Sequence, residues 1–264
     1  MIEIKNLSYS YNKRFNALNE INLKIKEGSL LCVIGENGCG KSTLLKTLDA
    51  LIFSNSGEYV YKGVEINEKK FKDMDFLINF RRDVAYLFQN SESQLFCPTV
   101  FDEIAFSLRQ LGFKESEILE RVNKILKMFE IEKIKDRPPY SLSGGEKKKA
   151  ALASVLITNP SLILLDEPTN DLDPKTQSAI FEMILGLKSS GKTVIIATHD
   201  IFMVKELNPE VFVMFGDHSG VFFNKFSDIS LEILDRANLI YNHSHYHNSF
   251  IHSHIHTEAH EHKI

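Results

Sequence analysis

Tryptophan is absent from this 264-residue chain, cysteine occurs three times, and the 31 Lys plus Arg do not outnumber the 35 Asp plus Glu, leaving a net charge of −4. With a pI near 6.2, the chain lacks the broad positive surplus of a protein whose main partner is nucleic-acid phosphate, so no nucleic-acid partner is expected. Cys32, Cys39 and Cys97 form no C-x-x-C pair. An odd count beside a start, Met1 to Lys5, that does not read as a signal peptide fits a reducing cytosol. No apolar run approaches the roughly 20 residues that cross a bilayer, so work at a membrane would need another chain as anchor.

The richest stretch is Gly35-Glu36-Asn37-Gly38-Cys39-Gly40-Lys41-Ser42-Thr43, set between the apolar run Leu30 to Ile34 and the helix-like Leu44 to Leu48. Strand, glycine loop and helix in that order make a P-loop. Its backbone N–H groups turn toward a phosphate chain, where a Cβ would collide, and the helix N-terminus adds partial positive charge. Lys41 is placed to reach β- and γ-phosphates, and the Ser42 hydroxyl to ligate Mg²⁺. This fixes a nucleoside triphosphate but not a reaction. A thiol so near a helix N-terminus, Cys39, is expected to have a lowered pKa and to react readily unless MgATP covers it.

Residues 1–34 alternate as strands (Ile2 to Ile4, Leu7 to Tyr11, Ile21 to Ile25), which suggests an antiparallel flank. Gly57 to Gly63 and Val84 to Phe88 read as further strands. From about 101 to 158 the period becomes helical, with Ile118, Leu119, Val122, Ile125, Leu126 and Phe129 on one face. Leu162 to Leu165 and Thr193 to Ala197 are continuous apolar runs of the kind found in central parallel strands, with a helix expected over 175–188 between them. Val211 to Phe215 and Val221 to Phe223 suggest a closing hairpin. The expected fold is α/β: a P-loop nucleotide-hydrolase core with a mostly parallel sheet, an antiparallel β flank and an inserted helical lobe. The expected division is an ATPase domain over 1–241 and a His-rich, disordered tail over 242–264.

Leu162-Ile163-Leu164-Leu165-Asp166-Glu167 is an apolar strand ending in two acids, the Walker B pattern. Asp166 can hold Mg²⁺, and Glu167 can orient the water that attacks a γ-phosphate. A buried strand before a solvated acidic turn would look alike, but the P-loop upstream favours chemistry. Leu142-Ser143-Gly144-Gly145-Glu146 opens a helix. It reads as an N-cap with Glu146 at N3, and equally as a second anion site.

With these motifs the chain resembles the ATP-binding-cassette ATPases over about residues 1–240. The resemblance implies that Ser143, Gly144 and Gly145 face ATP held by another subunit and that Tyr11 stacks on adenine, although Tyr11 could instead pack in the β flank. It implies that Gln89 contacts Mg²⁺ and water, that Asp173 belongs to the D-loop of Asn170-Asp171-Leu172-Asp173, and that His199 senses the γ-phosphate. Asn170-Asp171 stand where Ser-Ala is commoner. A second ATPase subunit, identical or not, is implied, because two cassettes close head to tail around ATP.

Phe88 to Val100, with Gln94-Leu95-Phe96 and Thr99-Val100, is similar to the energy-coupling-factor and cobalt/nickel importers, in which this segment borders the groove for integral membrane subunits. Phe226-Ser227-Asp228 and Leu231 to Leu239 resemble the short C-terminal element of those subunits. The resemblance implies a peripheral protein at the cytoplasmic face of the membrane. Eight histidines, His243, His245, His247, His252, His254, His256, His260 and His262, crowd the last 22 residues. They are candidate Ni²⁺ or Co²⁺ ligands or a passive extension. The expected function is the ATPase subunit of a cobalt or nickel importer. A vitamin-type energy-coupling module and a soluble mechanical ATPase are the alternatives.

Overall fold

Alternating apolar positions make the N-terminus a ribbon, in which β1 (Ile2–Tyr11) pairs antiparallel with β2 (Phe15–Ile25), Ile2 opposite Ile25 and Ile4 opposite Leu23. The computed structural model describes residues 1–12, 14–247 and 250–256, with side chains described through residue 240. β3 (Leu30–Ile34) is buried at every position, Leu30, Cys32 and Ile34 facing one core and Leu31 and Val33 the other. Each fully buried aliphatic contributes about 1.5–3 kcal/mol relative to exposure. That two-sided burial is why the segment reads as an unbroken apolar run.

The P-loop leads into α1 (Lys41–Leu48), after which β4 (Ser56–Tyr61) and β5 (Val64–Glu65) complete a four-stranded antiparallel sheet in the order β2-β1-β4-β5. α2 (Met74–Asp83), absent from the sequence reading, is capped by the Asp73 carboxylate accepting from the Phe76 N–H at 3.2 Å. It leads into β6 (Val84–Leu87).

The helical block then follows where expected, as α3 (Val100–Gln110), α4 (Glu115–Met128) and α5 (Gly144–Leu156). α4 buries Ile118, Val122, Ile125 and Leu126. Leu119, expected on that face, is 52% exposed. One residue on from Ile118 is about 100° further round a helix, beyond the stripe that meets the core.

β7 (Leu162–Asp166), α6 (Pro174–Ser189), β8 (Thr193–Thr198), α7 (Ile201–Leu207), β9 (Glu210–Met214), β10 (Gly220–Phe223) and α8 (Leu231–Arg236) complete the core. The central sheet runs β10-β9-β3-β8-β7-β6, parallel except for its β10 edge. The closing hairpin is present, and β9 also pairs parallel with β3, so the hairpin extends the main sheet. Where the sequence suggests no regular structure, the backbones of β11 (Tyr241–His247) and β12 (Phe250–His256) pair as a separate antiparallel hairpin. The strand order brings the carboxyl ends of β3, β8, β7 and β6 side by side, the edge at which α/β folds place ligands.

Candidate active site at the carboxyl edge of the sheet

The loop after β3 is shaped first by its protein neighbours. A Cβ on Gly35 would lie 2.4 Å from the Met214 carbonyl oxygen, and one on Gly40 2.2 Å from that of Ala17, whereas Gly38 faces open space. Close approach of the β9 end and of β2 therefore already requires glycine at 35 and 40 on the protein side alone. Lys41 is 7% exposed, and its ammonium donates to the Gly35 and Glu36 carbonyls at 2.8 and 2.9 Å. Ser42 and Thr43 follow in the first turn of α1, and Asn37 is exposed on the loop. The Tyr11 hydroxyl sits 3.4 Å from Thr43 Oγ1, its ring edge-on to Tyr9.

Cys39 corrects the sequence reading. Its side chain is 1% exposed in the core under the loop, and burial pushes the thiol up despite the lowering influence of Lys41. Its carbonyl accepts from His218 Nδ1 at 3.1 Å, and the Glu36 carboxylate accepts from Asn238 Nδ2 at 2.7 Å. His218 and Asn238 were not legible as loop contacts, being about 180 and 200 residues away in sequence.

At the end of β7, Asp166 and Glu167 are 2% and 3% exposed. Asp166 Oδ2 accepts from the Tyr86 hydroxyl at 3.0 Å, and Glu167 Oε1 lies 2.8 Å from His199 Nδ1. Asp166 Oδ1 and Glu167 Oε2 are buried with no partner among the described residues. Unpaired buried carboxylate oxygens are costly. Two of them, beside the Lys41 loop, fit a hard divalent cation and an attacking water. Glu167 also has φ +46°, a left-handed backbone uncommon for a residue with a side chain.

Gln89, just past β6, is exposed, and its carbonyl accepts from Lys148 Nζ at 3.3 Å. The side chain that secures the end of β6 is Gln94, whose Oε1 accepts from the Phe88 N–H at 3.2 Å while its Nε2 donates to the Tyr86 carbonyl at 3.3 Å. Sequence reasoning missed Tyr86 and Lys148, and it singled out Gln94 only as part of the segment bordering the membrane groove, not for its hold on β6. Tyr86 sits in an apolar run that reads as core, and the lysine in a polar helix face.

Ser143 is the N-cap of α5 in a complete capping box: its hydroxyl accepts from the Glu146 N–H at 3.4 Å and donates to Glu146 Oε2 at 2.9 Å, and its own N–H donates there at 2.8 Å. Gly144 and Gly145 form the first turn; a Cβ on Gly145 would stand 3.3 Å from Thr176 Oγ1. Asp173 caps α6, accepting from the Thr176 N–H at 3.1 Å and its hydroxyl at 2.7 Å. Among the described residues no hydrogen bond joins Ser143, Gly144 or Gly145 to the P-loop, so the two helix ends are separate features of one chain. Of the tail histidines, His260 and His262 lie outside the described residues, and His243, His245, His247, His252, His254 and His256 outside the described side chains.

The ABC transporter family matches residues 18–170. The energy-coupling factor transporter ATP-binding protein EcfA of Methanothermobacter thermautotrophicus is 41% identical over 81% of this chain and 68% of its own length. The nickel import ATP-binding protein NikO of Rhodobacter capsulatus is 42% identical over 80% of this chain and 84% of its own. Among solved structures, CbiO1 of Clostridium perfringens, part of the ABC transporter complex CbiONQ, aligns with TM-score 0.75 at 32% identity, covering 89% of this chain and 92% of that one. The ATP-binding cassette MJ0796, solved as a dimer with ADP and Pi, aligns with TM-score 0.75 at 28% identity over 86% of this chain and all of that one. The chain belongs to the ABC transporter family, as a transport-coupled ATPase of the energy-coupling-factor and cobalt/nickel branch.

Proposed function

We propose that this chain is the ATPase subunit of a cobalt or nickel importer, peripheral at the cytoplasmic face of the membrane, working as a homo- or heterodimer on integral membrane subunits. The observation that carries the metal assignment is the likeness to NikO together with eight histidines in the last 22 residues. Among the described residues no helix is long and apolar enough to cross a membrane, which supports a separate membrane partner. The likeness to EcfA supports a second reading, a vitamin-type energy-coupling module with a passive tail.

In the proposed site the loop amides of Gly35 to Gly40 and the Lys41 ammonium bind triphosphate, and the Lys41 contacts with Gly35 and Glu36 are the ones it exchanges for phosphate oxygens. Ser42, Asp166 and Gln89 are the residues for Mg²⁺, and Tyr11 offers its ring to adenine. Bound there, MgATP supplies the phosphoanhydride and a cation that offsets charge on the departing oxygens. Glu167 Oε2, without a partner among the described residues, orients and polarises water, while His199 fixes the other carboxylate oxygen. Ser143 to Gly145, which make no hydrogen bond to their own P-loop among the described residues, serve the ATP of the opposite subunit, and Asp173 stands beside Gly145.

Uptake of radiolabelled Ni²⁺ and Co²⁺ tests this reading in cells carrying the full chain, a chain ending at Tyr241, or none. Import lost with the chain and weakened at limiting metal by the truncation supports it. Normal import of both metals without the chain removes the metal assignment and moves the vitamin-type module ahead. Uptake unchanged by truncation makes the tail a passive extension.

A further inference from the structure

α5 contributes a second feature besides its N-terminus. Lys148, in its second turn, is 5% exposed although it carries a charged ammonium. A lysine so buried needs a compensating partner. Its one hydrogen bond among the described residues is to the backbone carbonyl of Gln89, at 3.3 Å. Burial draws its pKa below the usual lysine range, while Asp166, Asp171 and Glu167 act in the opposite sense. The preceding residue, Lys147, pairs with Glu92 on the same segment beyond β6. A cleft of about 370 Å³ opens where this segment, the start of α5 and Asn170 to Leu172 meet.

The hydrogen bond and the shared cleft place one cation at the junction of three elements that the proposed mechanism needs in register: the Gln89 segment, the helix that Ser143 opens, and the Asn170 to Leu172 loop that follows β7. We propose that Lys148 is a positioning residue that ties α5 to the Gln89 segment and keeps a standing positive charge in the cleft it shares with Asp171. Its stem packs and its ammonium positions. The inference rests on the proposed roles of Gln89 and Glu167, and its readout in nucleotide-free protein does not depend on them.

The test uses the full chain with Lys148→Met, which keeps the stem and removes the charge, and Lys148→Arg, which restores a cation. Hydrogen exchange in nucleotide-free protein reads the coupling, and steady-state ATPase kinetics read its use. Lys148→Met is expected to exchange the amides of 89–95 about tenfold faster and to lower kcat about tenfold, with the KM for ATP changed by less than about threefold. Lys148→Arg is expected to recover most of both. A packing role would leave the Met variant near wild type in both readings, and that result overturns the proposal. So does an Arg variant as impaired as the Met one. Should the Met variant fail to fold, Lys148→Gln, which keeps a donor without charge, is read against Lys148→Arg by the same criteria. Changed exchange with unchanged kcat would leave the brace standing and sink the assumed role of the Gln89 segment.

Discussion

His199 Nδ1 approaches Glu167 Oε1 to 2.8 Å while the buried Glu167 Oε2 meets no protein group among the described residues. One carboxylate oxygen is held by the protein, and under the proposed mechanism the other serves the attacking water. Glu167→Gln keeps that shape and loses the charge, so nucleotide should still bind while hydrolysis falls by about 10²–10⁴-fold. Steady-state phosphate release beside a nucleotide-retention assay checks it. Activity near wild type would move the general base elsewhere.

Ser143→Arg places bulk and charge at the start of α5 without touching Lys41 or the loop glycines. If α5 serves the nucleotide of an opposite subunit, this variant binds ATP with normal affinity and hydrolyses almost none. Normal turnover by a protein that runs as a monomer in the presence of ATP would rule out the shared site.

Gly40→Ala drives a methyl group toward the Ala17 carbonyl, in a backbone conformation of φ +112°. The cost should be about 2 kcal/mol or more in denaturant unfolding without nucleotide. Gly38→Ala meets open space and only a positive φ of +87°, so it should cost about 1 kcal/mol. Equal losses at the two positions would mean that neighbouring backbone does not set the loop.

Thiol labelling separates the cysteines by environment. Burial, with Glu103 adding to it, pushes Cys97 up to about 11, and burial also raises Cys39. A raised thiol pKa means less thiolate at neutral pH, so labelling by iodoacetamide should be slow there and quicken as pH climbs toward about 11. The half-buried Cys97 should label before the buried Cys39 and Cys32. Rapid modification of Cys39 at pH 7, read by mass spectrometry, would show that the loop opens.

The strands and the main motifs were legible because their signals are local: five apolar residues before a glycine loop, or two acids after Leu165. The capping box at Ser143 and Glu146 was legible for the same reason. What escaped depends on distant chain coming together. Nothing near His218 announces a bond to Cys39, and nothing near Lys148 announces the Gln89 carbonyl. Cys39 was misread because a helix terminus can be seen in sequence and the direction of a side chain cannot. α2 was missed because only Phe80 of its ten residues is buried, too thin a stripe to register as periodicity.

The capping box has one more consequence. The Ser143 N–H holds the Glu146 carboxyl below its usual range, and the same carboxylate already answers the positive end of α5 from within the chain. Free inorganic phosphate arriving at that helix must displace a tethered competitor of like charge, so small solution anions gain little there. A polyphosphate presented on a second surface brings more charge and loses less entropy on docking. The intact capping box is then the state to which the helix end returns whenever no such anion is presented.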